Sequence, residues 1–145
     1  MRDLSLLRIF APWKKAVCRL SLWRGCSSVL NIRNFMYTVI KRMEVSAAHS
    51  LSLSYPSKCG QLHGHNWIIT VYCRARELNA DGMVVDFSHI KQLVKGRLDH
   101  RNLNETLPFN PTAENIARWI CEQIPACFKV EVQESESNMA VYEKD

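Results

Sequence analysis

The chain has 145 residues, of which 47% are hydrophobic and 23% charged, and this predicts a folded domain rather than a disordered chain. Its formal charge of +5 is concentrated near the N-terminus, where residues 1–35 hold seven Lys or Arg and one acidic residue. The remaining residues hold twelve Lys or Arg against thirteen Asp or Glu, so the charge pattern argues against nucleic-acid binding.

Residues 1–35 form a basic, serine-containing extension with the composition of an organelle transit peptide. Its apolar runs are too short and too interrupted by charges to span a bilayer. We interpret it as a dispensable segment without stable structure, or as translated sequence upstream of a true start at Met36. A targeting role is the alternative. The folded domain is therefore expected over residues 36–145.

From Met36 onward, the apolar pattern predicts two strands, two helices and two further strands. The predicted strands cover residues 36–48, 63–77, 128–134 and 139–142. The first helix begins at Phe87, with Asp86 as its cap, and the second begins at Thr112, itself a capping residue. Residues 99–111 are predicted to form a polar loop. We expect an α+β fold in which two helices cover one face of a four-stranded antiparallel sheet.

Three of the five histidines lie within seventeen residues, at His49, His63 and His65. Side chains alternate along a strand, so a His-x-His pair places both imidazoles on the same face. His49, on a neighbouring strand, would supply the third nitrogen ligand. Such a set suits a Zn²⁺ ion whose fourth position stays open for water or substrate.

Cys59 precedes His63 by four residues and is therefore expected to lie beside the metal. Two interpretations remain open, because Cys59 can be a reactive thiol or a fourth ligand that closes the site. The six cysteines have no CxxC spacing, so we do not expect a disulfide framework. A free reactive thiol suits the reducing cytoplasm.

Two segments carry a family resemblance: Val45-Ser-Ala-Ala-His49, and Cys59-Gly-Gln-Leu-His63-Gly-His65-Asn66. They resemble the 6-pyruvoyl-tetrahydropterin synthase superfamily, and within it the bacterial 6-carboxy-tetrahydropterin synthases of queuosine biosynthesis. In the carboxy-forming branch the cysteine stands four residues before the HxH pair, as here, whereas the pyruvoyl-forming branch has a longer insert. The resemblance runs from about Met36 to Asp145 and implies the tunnelling fold.

The resemblance implies a zinc-dependent lyase with one Zn²⁺ per subunit. Its substrate would be 7,8-dihydroneopterin triphosphate, and its products 6-carboxy-5,6,7,8-tetrahydropterin, acetaldehyde and triphosphate. It also implies a cytoplasmic homo-oligomer, a hexamer built as a dimer of trimers, with neither nucleic acid nor membrane as a partner. Two alternatives remain: the pyruvoyl-forming synthase of biopterin synthesis, and a non-catalytic zinc- or pterin-binding protein on the same scaffold.

The resemblance also implies roles for residues outside the histidine cluster. Asp99 and His100, in a Leu-Asp-His-x-x-Leu-Asn motif, would be acid–base partners of Cys59. Thr112 would contact the pterin ring, in addition to capping its helix. Glu134 would hold the ring, because a carboxylate accepts two parallel N–H bonds from the 2-amino-pyrimidinone edge. Glu136 is the alternative if the strand register is shifted.

Deleting residues 1–35 is expected to leave the fold, the zinc stoichiometry and the activity intact, because every assigned motif follows Met36. Mass spectrometry of the natively expressed protein, with assays of the shortened chain, provides the check. An intact Met1 combined with lost activity on truncation would contradict this prediction.

Overall fold

The computed structural model describes residues 35–145, so residues 1–34 of the predicted extension lie outside the described part of the chain. The described residues form a single five-stranded sheet in the order β3-β1-β2-β4-β5. Its strands are β1 (Tyr37–His49), β2 (His63–Ala75), β3 (Arg101–Asn102), β4 (Cys127–Gln133) and β5 (Met139–Glu143). The helices are α1 (Phe87–Leu98), α2 (Leu103–Thr106) and α3 (Ala113–Gln123). The predicted α+β class and the order of the long elements are confirmed.

Strands β1 and β2 form the longest pairing, an antiparallel ladder that runs from Tyr37 opposite Ala75 to His49 opposite His63. Alternate residues of both strands are buried, as the period-two pattern predicts. The buried face of β1 ends in His49, while Trp67 occupies the same face of β2. One sheet face therefore carries both the hydrophobic core and, at its end, the histidines.

Helices α1 and α3 cover that face, with α1 against β1 and α3 against β4 and β5. Asp86 caps α1 by accepting a hydrogen bond from the Ser88 N–H at 2.7 Å. Thr112 caps α3 in the same way, with its Oγ1 3.2 Å from the Asn115 nitrogen. Both helix starts were predicted from these capping residues. The core between the helices and the sheet includes Ile90, Val94, Leu98, Ile116 and Ile120.

The segment 99–111, predicted as a loop, contains two short elements. Strand β3 pairs with β1 in parallel, which makes the sheet mixed rather than wholly antiparallel. Helix α2 is a single turn capped by Asn102, whose side chain accepts from the Asn104 N–H. The side chains of Leu103 and Leu107 are buried in the core. Two apolar residues are too few to give a periodic signal in the sequence. We infer that contacts with the rest of the domain stabilise these two short elements.

Strands β4 and β5 form the predicted hairpin at the other side of the sheet. Of the four described cysteines, Cys59 is exposed, and the other three are buried. Among residues 35–145, no helix combines the length and apolar character needed to cross a bilayer.

Candidate metal centre and adjoining cavities

The register of β1 and β2 brings the three predicted ligands together. His49 lies directly opposite His63, and Ala47 lies opposite His65, so all three imidazoles project from the helix-covered face. Their ring centroids are 4.6 to 5.3 Å apart. The predicted histidine cluster is therefore present in the structure.

Backbone carbonyls fix the tautomers of two of these rings. His49 Nδ1 lies 2.8 Å from the Pro111 carbonyl oxygen, and His63 Nδ1 lies 2.7 Å from the Gln61 carbonyl oxygen. A carbonyl oxygen only accepts hydrogen bonds, so each Nδ1 carries a proton and Nε2 is the ring nitrogen available to a metal ion. Imidazoles that bind metal ions are commonly oriented in this way.

His49 is fully buried, which favours its neutral form. Burial, the largest effect, lowers the pKa of His49 below its ordinary value of 6.5, while the hydrogen bond to Pro111 opposes this shift. Trp67 supports the cluster, packing its indole edge-on against His49 and His65 and donating from Nε1 to the Ala47 carbonyl. A neutral, immobilised imidazole is the form that a metal ion needs.

A carboxylate completes the cluster. Glu134, in the turn after β4, has Oε1 3.3 Å from His49 Nε2 and 3.5 Å from His65 Nε2. One donor atom from each of the four side chains lies within 4.8 Å of the others. The resemblance implies a substrate-binding role for Glu134, and its approach to the histidines is not evident from the sequence, because strand patterns do not report which turn faces which strand end.

These four side chains fit a transition-metal ion. The Nε2 atoms of His49 and His65 are buried and make no hydrogen bond, which is costly unless a cation or another partner binds there. Three imidazoles and a carboxylate are the donor types that Zn²⁺ prefers. The metal would be held by His49, His63 and His65, with Glu134 beside it.

Cys59 lies outside this group of four donors. It belongs to a short 3₁₀ turn, Lys58–Gly60, which is capped by the Ser57 side chain. The Cys59 carbonyl accepts a hydrogen bond from the Leu51 N–H at 2.8 Å, which ties the turn to the chain just after β1. The thiol is exposed, as a reactive cysteine requires.

A cavity of about 450 Å³ adjoins the cluster, and both predicted substrate-binding residues line it. Thr112 enters from the start of α3, and Glu134 enters from the β4–β5 turn. Apolar and aromatic walls come from Leu51, Leu53 and Tyr55. The cavity therefore combines a few apolar and aromatic walls with a carboxylate in a mostly polar lining, which suits a flat heterocycle that carries N–H donors.

Asp99 and His100 are not members of the metal-binding group. His100 lines a second cavity, of about 770 Å³, which His65 of the cluster also lines and to which Ser46 and Asn66 contribute. Those two residues alternate with Ala47 and His65, so their side chains point to the opposite sheet face. Within one subunit, the structure therefore does not bring Asp99 and His100 into the metal-binding group.

The Asp99-His100 pair is itself held firmly to β1. Asp99 Oδ1 accepts from the Ser46 N–H at 3.0 Å, and Lys95 Nζ lies 3.2 Å from the other carboxylate oxygen. The His100 N–H donates to the Ser46 carbonyl at 2.7 Å, with His100 at a φ of 56°. This left-handed backbone is uncommon for a residue other than glycine, and it turns the chain into β3.

Comparison with known proteins gives one family. The family model of 6-pyruvoyl tetrahydropterin synthase matches residues 38–145. Among solved structures, the 6-pyruvoyl tetrahydropterin synthase of Caenorhabditis elegans superposes with a TM-score of 0.62 at 29% identity, covering 76% of this chain and 96% of that protein. The predicted tunnelling fold is thereby confirmed.

Several curated relatives carry a narrower name. The 6-carboxy-5,6,7,8-tetrahydropterin synthase of Bacillus subtilis is 30% identical over 74% of this chain and 86% of its own length. The Synechocystis protein of that name is 37% identical over 74% of this chain and 93% of its own length. A dihydroneopterin monophosphate aldolase from Pyrococcus furiosus is 40% identical over 59% of this chain and 73% of its own length.

Replacing His65 by alanine is expected to lower Zn²⁺ affinity, because it removes a coordinating nitrogen. Loss of a residue that only hydrogen-bonds to a ligand costs roughly 10–100-fold, so the effect here should be larger. The measurement is competition against a chelator, with circular dichroism to follow folding. The control is His89→Ala, which changes an exposed histidine on α1 outside the cluster. Wild-type affinity in folded His65→Ala protein would exclude His65 as a ligand.

The Asp99 carboxylate is expected to make stability depend on pH. Burial alone would raise the pKa of Asp99, but the Ser46 N–H and Lys95 outweigh it and hold the pKa below 3.8. Wild-type protein should therefore be more stable than Asp99→Asn at neutral pH, and the difference should disappear as the pH falls through the folded-state pKa. Chemical denaturation of both proteins over this range is the measurement, and a constant difference would contradict the prediction.

Proposed function

The chain belongs to the 6-pyruvoyl tetrahydropterin synthase family, whose model matches residues 38–145, and it is an enzyme of the lyase type. We propose that it converts 7,8-dihydroneopterin triphosphate and water to 6-carboxy-5,6,7,8-tetrahydropterin, acetaldehyde and triphosphate, a step of queuosine biosynthesis. The observation that carries the proposal is the Cys-x-x-x-His-x-His spacing of Cys59, His63 and His65. Relatives named 6-carboxy-5,6,7,8-tetrahydropterin synthase support the same branch.

The pterin ring binds in the cavity lined by Thr112 and Glu134. The carboxylate accepts two parallel N–H bonds from the 2-amino-pyrimidinone edge, and this charge-assisted pairing fixes the orientation of the ring. Thr112 lines the same cavity and is held by its capping hydrogen bond. The presence of both residues in one cavity supports the assignment.

His49, His63 and His65 would hold one Zn²⁺ per subunit, which would supply a Lewis acid for the substrate hydroxyl groups. The carbonyls of Pro111 and Gln61 orient two of the three ligands. Cys59, exposed on its short turn, removes a carbon-bound proton as the general base.

Asp99 and His100 relay protons to and from Cys59. Because Asp99 and His100 are not part of the metal-binding group of their own subunit, we propose that a neighbouring subunit supplies them to each active site. The oligomer is a hexamer built as a dimer of trimers, in the cytoplasm. Its assembly would also pair the outer strand β5, which has one neighbour among the described strands.

A second candidate is a dihydroneopterin phosphate aldolase, favoured by the 40% identity to the Pyrococcus furiosus enzyme. Aldol cleavage breaks the bond between the first two side-chain carbons and leaves a one-carbon substituent on the ring. The released two-carbon aldehyde keeps its phosphate.

The pyruvoyl-forming reaction, by contrast, retains all three side-chain carbons, and a non-catalytic binding protein releases no product.

The reaction is tested by incubating the zinc-loaded protein with 7,8-dihydroneopterin triphosphate and identifying every product. Acetaldehyde and a 6-carboxy pterin in equal amounts are expected. A pyruvoyl pterin, a phosphorylated two-carbon aldehyde or no turnover would each assign one of the other functions. The monophosphate, tested in parallel, isolates the aldolase reaction.

Replacing Cys59 by alanine is expected to slow turnover by about a hundredfold or more, the usual scale for loss of a general base, while zinc content stays unchanged. Single-turnover kinetics and metal analysis are the two measurements. Ser54→Ala, at an exposed position in the same loop, is the control. Loss of zinc together with activity in Cys59→Ala would instead identify Cys59 as a metal ligand.

A further inference from the structure

Two asparagine side chains hold the chain directly after β1. Residues 50–52 belong to no helix or strand, yet distant side chains pair with their backbone. Asn104 Oδ1 accepts from the Ser50 N–H at 2.7 Å, and its Nδ2 donates to the Ser50 carbonyl at 2.8 Å. Asn110 makes the same two bonds to Ser52, each 3.0 Å long. Each amide therefore binds both backbone groups of one residue.

This pattern is the one that a strand forms with its neighbour. In an antiparallel ladder a residue exchanges both of its backbone hydrogen bonds with the residue opposite, and alternate residues form such pairs. An asparagine amide carries the same kinds of donor and acceptor as a peptide group. Asn104 and Asn110 thus take the place of a neighbouring strand along Ser50 and Ser52, so the ordered backbone of β1 continues past His49.

The other side of this segment contacts the turn that carries the thiol. The N–H of Leu51, which lies between the two serines, donates to the Cys59 carbonyl at 2.8 Å. No residue of the turn Lys58–Gly60 is buried, so packing in the core does not hold it in place. The position of Cys59 therefore depends on local hydrogen bonds, and the bond from Leu51 ties the turn to the end of β1.

The two asparagines are themselves fixed by the folded domain. Asn104 belongs to α2, which buries a leucine in the core. The Asn110 carbonyl accepts from the Asn115 side chain of α3 at 3.1 Å, and the next residue, Pro111, contacts His49. The segment that follows β3 thus connects the core to a candidate metal ligand and, through residues 50–52, to the cysteine turn.

We propose that Asn104 and Asn110 are positioning residues for Cys59, and that they act through residues 50–52 and the bond from Leu51. The proposal rests on the function proposed above, in which the thiol removes a proton from the substrate. A general base works only within hydrogen-bond reach of that proton, and small displacements of a catalytic group slow the reaction strongly. The two amides restrict an exposed turn to the position that this step requires.

The first experiment tests the two asparagines without any assay of turnover. Amide hydrogen exchange of the full-length, zinc-loaded protein is read residue by residue by mass spectrometry. The Leu51 amide is the diagnostic one, because neither substitution changes its own partner, Cys59. Asn104→Ala and Asn110→Ala should each speed its exchange about tenfold or more, while exchange within β1 and β2 stays at the wild-type rate.

The matched control is Asn79→Ala. This substitution also removes two hydrogen bonds from a side chain to the backbone, in the turn that follows the opposite end of β2 from His63. It should leave the exchange of Leu51 unchanged. Wild-type exchange of Leu51 in both Asn104→Ala and Asn110→Ala would overturn the proposal.

The second experiment asks whether the asparagines act through the thiol. Single-turnover rates of acetaldehyde release are compared for wild type, Asn104→Ala, Cys59→Ala and the double variant, at equal zinc content. Asn104→Ala should slow the wild-type protein about 10–100-fold and have little further effect once the thiol is gone. Equal losses in both backgrounds would overturn the proposal, because Asn104 would then act through the fold or the ring cavity.

Two further comparisons keep the outcomes separate. Asn110→Ala takes the place of Asn104→Ala in the cycle if circular dichroism shows that the latter does not fold. Absence of acetaldehyde from the wild-type protein would contradict the proposed function, whereas the exchange of the Leu51 amide tests the asparagine pair by itself.

Discussion

The candidate site depends on one structural constraint, the pairing register of β1 and β2. With His49 opposite His63, the period of two places three imidazoles on the face that also carries the hydrophobic core. A shift of one residue in the register of β2 would turn His63 and His65 to the other face of the sheet and remove Trp67 from the core. The residues that stabilise the sheet therefore also determine the geometry of the site, because burying Trp67 correctly requires the register that assembles the ligands.

Much of this could be predicted from the sequence, because the signals are local. The strand alternation, the caps Asp86 and Thr112 and the His-x-His spacing each involve residues a few positions apart, and the structure contains all of these features. Family resemblance supplied the fold name and the branch. The short elements β3 and α2 were not predicted, because Leu103 and Leu107 are buried only by contact with the rest of the core.

The arrangement of the catalytic candidates could not be predicted for a related reason. The contact between His49 and Pro111 joins residues 62 positions apart, and the approach of Glu134 to the same ring depends on how a distant hairpin packs. Sequence spacing also gave no sign that Asp99 and His100 stand outside the metal-binding group. Motifs thus indicated a candidate role for each side chain, whereas the topology determined which side chains meet within one subunit.

The loop between His49 and His63 has a thermodynamic consequence. Both of its ends carry a candidate metal ligand, so a bound ion would act as a cross-link that closes residues 50–62 into a ring. Such a cross-link removes conformational entropy from the unfolded chain, on the order of 3 kcal/mol for a covalent bridge around a loop of similar size. Metal occupancy and strand pairing would then be linked equilibria.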